Sequence, residues 1–282
     1  MNYQDILSEN FKNLVEAAIK EQQNYLSAKP FPNIVLKNFF NNDYLNTILK
    51  EFPDLSKLND SQNYNAKNEI KLSNKNYKKF PSTIKSFIDF LNSEIFLDFL
   101  QNLTSIKEKL VSDPHLEGGG LHEIKSGGVL KIHTDFNRHP FLDLDRRVNV
   151  LIYLNKDWKD SYGGHLELWN KNISKCEKKI SPLFNTMTIF STTDFSNHGH
   201  PDPLCCPSDM SRKSIALYYF SSGRPKDEIH EVHTKNRTYF KSRTGIKNDA
   251  EEKKEPFKNF IRSFKFYRSL KNLEKKYIRR KK

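Results

Sequence analysis

The stretch that decides the fold is GGGLHEIKSGGVLKIHTD at residues 118–135, in which two short β-type runs flank a Ser-Gly-Gly turn. Runs of this kind recur as far as residue 221, separated by turns and without helical patterns between them. They predict six strands, at residues 120–125, 129–133, 147–154, 164–169, 186–190 and 212–221. Many short strands without intervening helices indicate an antiparallel sandwich or jelly roll rather than alternating strands and helices.

The residues before this β-core have apolar positions at helical spacing. Residues 4–26 predict an amphipathic helix, residues 33–36 a short strand, and further helices are predicted around residues 44–49 and between Pro81 and Asp113. Residues 54–79 are rich in Asn, Lys and Ser and predict a loop.

Three parts of the chain follow from these patterns. Residues 1–114 supply an N-terminal strand with supporting helices, residues 115–225 the β-core, and residues 226–282 a basic C-terminal extension that is predicted to be helical. The expected fold class is mostly β with α, a jelly-roll core carrying an N-terminal helical layer.

The positive charge of the chain is concentrated in its tail. The formal net charge is +13, but residues 251–282 alone carry 13 Lys and Arg against 4 Asp and Glu. The body is therefore nearly balanced, which argues against nucleic acid as its partner. The tail predicts a helix that packs on the body with a solvated basic face; binding to an anionic membrane surface or to nucleic acid is the alternative.

Other function classes are limited by what the sequence lacks. No run approaches the roughly 18 apolar residues of a membrane span, and the first residues do not follow the pattern of a signal peptide. The three cysteines form neither an even set nor a CxxC pair, which fits a reducing compartment. We therefore expect a cytoplasmic protein without a transmembrane segment.

A candidate metal-ligand set consists of His133, Asp135 and His198. Residues i and i+2 of a strand share a face, so His133 and Asp135 can both point at one ion. Two imidazoles and one carboxylate are the facial triad of non-haem Fe(II) oxygenases, which leaves other coordination positions open. The alternative is a hydrogen-bonded pair of His and Asp with no metal.

Zinc at His198, His200, Cys205 and Cys206 ranks below iron because this spacing matches no standard zinc site.

A second group of residues is suited to binding a carboxylate. Arg212 and Ser214 share one face of a predicted strand, and Asn149 and Tyr153 share one face of another. A guanidinium fork with hydroxyl and amide donors is suited to a carboxylate. The alternative is a surface ion pair for Arg212 and a core position for Tyr153.

Taken together, the motifs resemble those of the Fe(II)/2-oxoglutarate-dependent oxygenases, prolyl 4-hydroxylase-like branch. Five segments carry the resemblance, in order and at similar spacing: residues 118–124, 130–137, 146–158, 163–169 and 198–219. The resemblance covers about residues 30–225. It implies a double-stranded β-helix with Fe(II) held by His133, Asp135 and His198, with 2-oxoglutarate and O2 as co-substrates. It also implies that Arg212 pairs with the distal carboxylate of 2-oxoglutarate and that Tyr153 donates to the same group.

The reaction that the resemblance implies is hydroxylation of an unactivated C–H bond, coupled to conversion of 2-oxoglutarate to succinate and CO2. Asp135 favours hydroxylation, because related halogenases have a small residue in place of this carboxylate. A tyrosine that relatives carry nine or ten residues before His133 is replaced here by Ile124 or Glu123. The substrate stays open among peptidyl proline, an amino acid, a glycan and a small metabolite. The rival hypotheses are a non-catalytic jelly-roll binding module and an oxygenase acting on nucleic acid.

Overall fold

The computed structural model describes residues 3–228, 237–247 and 249–250. Its α-helices are α1 (Leu14–Ser27), α2 (Asn42–Glu51), α3 (Ser82–Leu91) and α4 (Glu94–Thr104). Short 3-10 helices span Tyr3–Asp5, Glu9–Phe11, Leu55–Lys57, Tyr77–Lys79, Asp160–Tyr162 and Lys226–Glu228. The strands are β1 (Asn33–Lys37), β2 (Gln62–Ala66), β3 (Glu69–Asn74), β4 (Leu110–Ser112), β5 (Gly120–Lys125), β6 (Val129–Thr134), β7 (Asp145–Tyr153), β8 (Leu166–Trp169), β9 (Cys176–Ile180), β10 (Thr186–Ser191), β11 (Asn197–His200), β12 (Ser211–Ser221) and β13 (Tyr239–Phe240).

These strands form one strongly curved sheet in the described part of the chain. Its order is β1-β10-β7-β12-β5-β3-β6-β11-β8-β9, with β4, β2 and β13 added beside β12, β3 and β6. The described strands pair in antiparallel fashion, and β3 joins the two halves by pairing with β5 and then with β6. The sheet closes into the nearly complete barrel of a double-stranded β-helix, as the sequence predicted.

Successive side chains of the central strands point alternately into the hydrophobic core and into a cavity. On β7, Val148, Val150 and Ile152 are fully buried in the main hydrophobic cluster. The intervening residues Asn149 and Leu151 line the interior of the barrel. Because successive side chains of a strand point to opposite faces, one nine-residue strand serves both the packing of the fold and the site.

The N-terminal helices cover the outer face of the barrel. The main cluster joins apolar residues of α1, α3 and α4 to those of β7, β10 and β12. Tyr219 of β12 is buried and donates a hydrogen bond to the Leu91 carbonyl at the end of α3, at 2.8 Å. Asn13 begins α1 by accepting a hydrogen bond from the Glu16 amide, which satisfies one of the helix's free N–H groups. The predicted helical layer is therefore present.

The predicted loop at residues 54–79 is wrong. It contains the β2–β3 hairpin, and β3 is part of the barrel. The sequence signal was weak because β2 is a largely exposed edge strand of polar residues, without the apolar alternation that indicates a half-buried strand. Likewise, helix α1 begins at Leu14, later than predicted, after two 3-10 turns.

The predicted helix of the basic tail, residues 251–282, lies outside the described residues. The described part of the C-terminal extension contains the 3-10 helix Lys226–Glu228 and strand β13, whose Phe240 lies opposite His133. Among the described residues, no helix is long and apolar enough to cross a membrane.

Candidate active site

The interior of the barrel holds a cavity of about 270 Å³. One end is lined by His133, Asp135 and His198, and the other by Arg212 and Ser214. The wall between them includes apolar side chains from three strands, Leu130, Leu151 and Leu166. The metal set therefore shares this cavity with Arg212, Ser214 and Asn149 of the carboxylate-binding set, whereas Tyr153 is buried behind the wall and contacts Arg212.

The predicted metal ligands are brought together by strand pairing. Strand β11 pairs with β6 so that His198 lies directly opposite His133. The Nε2 atom of His133 lies 3.7 Å from Asp135 Oδ1, and that of His198 lies 3.4 Å from Asp135 Oδ2. One potential ligand atom from each residue lies within 4.8 Å of the others, which suits a single ion bound through all three.

Backbone carbonyls fix the orientation of both imidazoles. His133 Nδ1 lies 2.8 Å from the Lys131 carbonyl oxygen, and His198 Nδ1 lies 2.8 Å from the Ser196 carbonyl oxygen. A carbonyl oxygen only accepts, so each Nδ1 carries the proton and each Nε2 presents its lone pair to the site. Burial, followed by the neighbouring His133, lowers the pKa of His198 to about 4, which keeps this imidazole in its neutral, metal-binding form.

Asp135 is held by two further side chains. Its Oδ2 accepts a hydrogen bond from Asn149 Nδ2 at 2.7 Å and lies 3.0 Å from Arg146 Nη2. Burial acts to raise the pKa of Asp135, but the Arg146 charge and the two histidines outweigh it and hold the pKa well below its usual range. The carboxylate is therefore ionised and oriented.

Arg146 is the main residue of this end that the sequence reasoning missed. It is 1% exposed, its Nε donates to Asn149 Oδ1 at 2.9 Å, and its guanidinium stacks 3.4 Å from the Tyr218 ring centroid and 4.5 Å from that of Phe136. A period-two count from Asn149 would place residues 147 and 145 on the inner face, not Arg146. The register of β7 with β12 shifts between Tyr219 and Phe220, and this irregularity turns Arg146 inward.

Asn149 has a different partner from the one predicted. It was expected to donate to a co-substrate carboxylate, whereas its amide donates to Asp135 and its carbonyl oxygen accepts from Arg146. The triangle of Asp135, Asn149 and Arg146 joins β7 to the segment that carries Asp135.

At the other end of the cavity, Arg212 is 5% exposed and faces inward. Its Nε donates to the Gly164 carbonyl oxygen at 2.8 Å, and its Nη2 lies 3.3 Å from the Tyr153 hydroxyl. Arg212 has no carboxylate partner among the described residues, so its charge is uncompensated. Ser214 lies opposite Tyr153 across β12 and β7 and also lines the cavity.

Gly164 is needed where the chain passes Arg212. Its φ is +72°, and a Cβ at this position would lie 2.5 Å from Leu204 Cδ2 and 3.0 Å from Arg212 Cδ. Only glycine combines that backbone conformation with such a close approach.

Neither Glu123 nor Ile124 supplies a polar group in place of the relatives' tyrosine. Glu123 points away from the cavity and accepts hydrogen bonds from the Leu55 amide and the Ser211 hydroxyl, at 2.9 and 2.8 Å. Ile124 lines the cavity but has no polar atom. Two buried imidazoles, those of His122 and His200, also line the cavity.

The alternative zinc site is not formed by the described residues. There, the group of His, Cys, Asp and Glu side chains close enough to share one ion is His133, Asp135 and His198. Cys205 is exposed, and Cys206 Sγ contacts the Met210 carbonyl oxygen.

Comparison with known proteins connects this geometry to a family. Residues 119–220 match the family model described as the 2OG-Fe(II) oxygenase superfamily, and this segment contains all three triad residues and Arg212. The matched segment is the β-core, which is therefore similar to that superfamily. An enzyme of this class uses Fe(II), 2-oxoglutarate and O2. The superfamily indicated by the sequence motifs is thereby confirmed.

Solved structures with a similar fold include three prolyl hydroxylases. One is a prolyl hydroxylase from Trichoplax adhaerens in complex with a hypoxia inducible factor peptide fragment, at 18% identity, 78% coverage of this chain and 96% of that chain, and a TM-score of 0.56. A second, from Phytophthora capsici, is 20% identical, with 76% coverage of this chain, 66% of that chain and a TM-score of 0.52. A third, from Pseudomonas putida, is 14% identical, with 75% coverage of this chain, 100% of that chain and a TM-score of 0.51. At such low identity the likeness concerns the fold alone.

Proposed function

We propose that this oxygenase hydroxylates an unactivated C–H bond of its substrate and converts 2-oxoglutarate to succinate and CO2. The observation that carries the proposal is one cavity with a His-Asp-His triad at one end and a buried, uncompensated arginine at the other. A dicarboxylate with a 2-oxo acid at one end would connect these two ends.

His133, Asp135 and His198 would hold the iron. The donor set fits a divalent cation, because two neutral imidazoles present Nε2 lone pairs beside an ionised carboxylate. Three ligands on one face leave positions for a bidentate 2-oxo acid and for dioxygen. Bound iron supplies the oxidising chemistry, and the protein supplies the geometry around it.

Arg212 and Tyr153 would bind the distal carboxylate. A buried arginine without an acidic partner costs free energy, and an incoming carboxylate would relieve that cost. The Tyr153 hydroxyl beside it adds a donor, and Ser214 adds a second hydroxyl on the same face. The apolar side chains of Leu130, Leu151 and Leu166 on the cavity wall would favour a bound co-substrate over water.

Two observations favour an enzyme over a silent binding module. The triad is complete, and Asp135 has dedicated partners in Asn149 and Arg146 that orient it. A module that used the fold for recognition alone would not need a buried, ionised carboxylate among paired imidazoles. The near-neutral charge of the body likewise gives no support to a nucleic-acid substrate.

The proposal is tested by 2-oxoglutarate turnover. The full-length protein is incubated with Fe(II), 2-oxoglutarate and air, and succinate is measured by NMR, alone and with proline-containing peptides, free amino acids, glycans and small metabolites. Succinate release should require all three components, and one substrate class should increase it. Iron-loaded protein that forms no succinate in any mixture would contradict the proposal.

Matched variants in β6 and the segment after it separate ligand loss from general damage. His133→Ala and Asp135→Ala should both stop succinate release. Thr134→Val replaces the residue between them, which is buried but does not line the cavity, and should retain it.

A further inference from the structure

His200 is a buried imidazole whose two ring nitrogens have no hydrogen-bond partner among the described residues. It is 3% exposed and lines the cavity. Buried polar atoms in native proteins nearly always have a partner. An unpaired imidazole at a cavity wall therefore points to a ligand.

The strand register places His200 toward the Arg212 end of the cavity. Strand β11 runs antiparallel to β8, with His198 opposite Leu168 and Gly199 opposite Glu167. The step from His198 to His200 on β11 therefore runs beside β8 in the direction of Gly164, which precedes β8. The carbonyl oxygen of Gly164 accepts a hydrogen bond from Arg212. His200 thus lies beyond the metal ligands, on the way to the guanidinium.

His122, the other imidazole on this wall, has different donor chemistry. It lies opposite Ser214 in the β5–β12 pair, and its Nε2 has no partner within the part of the chain that the structure describes. Burial lowers its pKa, while the carbonyls of Gly118 and Gly119 hydrogen-bond the ring and act in the opposite direction. Since Nε2 has no partner, these carbonyls act on Nδ1, which carries the proton. The cavity-facing nitrogen of a neutral His122 is therefore an acceptor, which does not bind a carboxylate.

We propose that the ring N–H of His200 donates a hydrogen bond to the distal carboxylate of 2-oxoglutarate, beside Arg212. His200 then acts as a co-substrate-positioning residue and supplies a polar contact beside Arg212. The inference rests on the proposed function, because it assigns a further residue to the same co-substrate.

The test measures binding of 2-oxoglutarate rather than turnover. Full-length protein loaded with Fe(II) under anaerobic conditions is titrated with 2-oxoglutarate, and the visible metal-to-ligand charge-transfer absorption gives the Kd. His200→Leu should raise this Kd about tenfold or more, as expected for a lost hydrogen bond to a charged group. His200→Gln, which keeps an N–H donor, should recover part of the affinity. His165→Leu is the matched control, since His165 contacts Asp160 outside the cavity, and its Kd should not change.

A second ligand identifies the group that His200 contacts. 2-Oxopentanoate keeps the 2-oxo acid but lacks the distal carboxylate, so wild type and His200→Leu should bind it equally well. An unchanged Kd for 2-oxoglutarate in His200→Leu would overturn the inference, as would an equal loss for both ligands. His200→Ala, which also lacks a donor, carries the same comparison if His200→Leu does not fold. Wild-type protein that binds Fe(II) but gives no 2-oxoglutarate absorption would instead overturn the proposed function itself.

Discussion

Replacing Arg146 with methionine removes the buried cation that neutralises Asp135. The pair is 3.0 Å apart and the Arg146 side chain is 1% exposed. At this distance and an effective dielectric constant of about 20, Coulomb's law gives roughly 5.5 kcal/mol of attraction. Removing one partner of a buried pair costs about 3–5 kcal/mol, because the remaining charge stays buried. Methionine can still pack between Phe136 and Tyr218. The loss of stability in Arg146→Met therefore reports mainly the removal of the positive charge.

The expected result is a metal-free Arg146→Met protein that is less stable than wild type by about 3–5 kcal/mol in urea unfolding with a chelator present. Saturating Co(II) should recover part of this loss, because a divalent cation replaces the missing positive charge beside Asp135. The double variant Arg146→Met/Asp135→Asn should be more stable than Arg146→Met alone, because it removes the unpaired charge.

Arg147→Met is the matched control for this experiment. Arg147 is the adjacent residue, is equally buried, and pairs with Glu108 at 2.8 Å, away from the triad. The Arg147→Met variant should also be less stable than wild type, but Co(II) should not reduce this difference in the free energy of unfolding. Metal-free Arg146→Met with wild-type stability would refute the reasoning, and so would a loss that Co(II) leaves as large as in the control.

Two further predictions concern the surroundings of the cavity. Gly164→Ala should weaken 2-oxoglutarate binding in the anaerobic titration more than Fe(II) binding, because the added Cβ would displace Leu204 and Arg212. A variant that binds 2-oxoglutarate with the affinity of wild type would contradict this. Asp249→Asn should lower stability at pH 7 by about 2 kcal/mol, because Arg243 outweighs the effect of burial and lowers the pKa of Asp249 to about 2. The stabilisation from the Asp249 carboxylate is fully present above its ordinary pKa of 3.8 and is lost as the pH falls toward 2. The free energies of unfolding of the variant and of wild type should therefore converge near pH 2, and a difference that does not change with pH would contradict this.

The β-core and the metal set could be read from the sequence because they depend on local patterns. Period-two alternation identified the strands, and the spacing of His133 and Asp135 follows from that same period. The predicted co-substrate residues Arg212 and Tyr153 lie in contact for the same reason, since their strands are neighbours in the sheet.

The residues that sequence reasoning missed depend on contacts between distant segments. Arg146 faces the cavity because the β7–β12 register shifts near it, and a register irregularity leaves no mark in a single strand's pattern. Strand β3 was missed because its partners, β5 and β6, follow about fifty residues later and its own residues are mostly polar. The partner of Asn149 could not be predicted, because it depends on which of two carboxylates, that of Asp135 or that of a co-substrate, lies nearer its amide.

The most direct test of the central claim is an anaerobic titration of metal-free protein with Fe(II) and then with 2-oxoglutarate, monitored in the visible region. We expect a metal-to-ligand charge-transfer band in wild type, its absence in His133→Ala, and a much weaker affinity for 2-oxoglutarate in Arg212→Ala with iron binding retained. Folded wild-type protein that binds one Fe(II) and gives no band at saturating 2-oxoglutarate would contradict it.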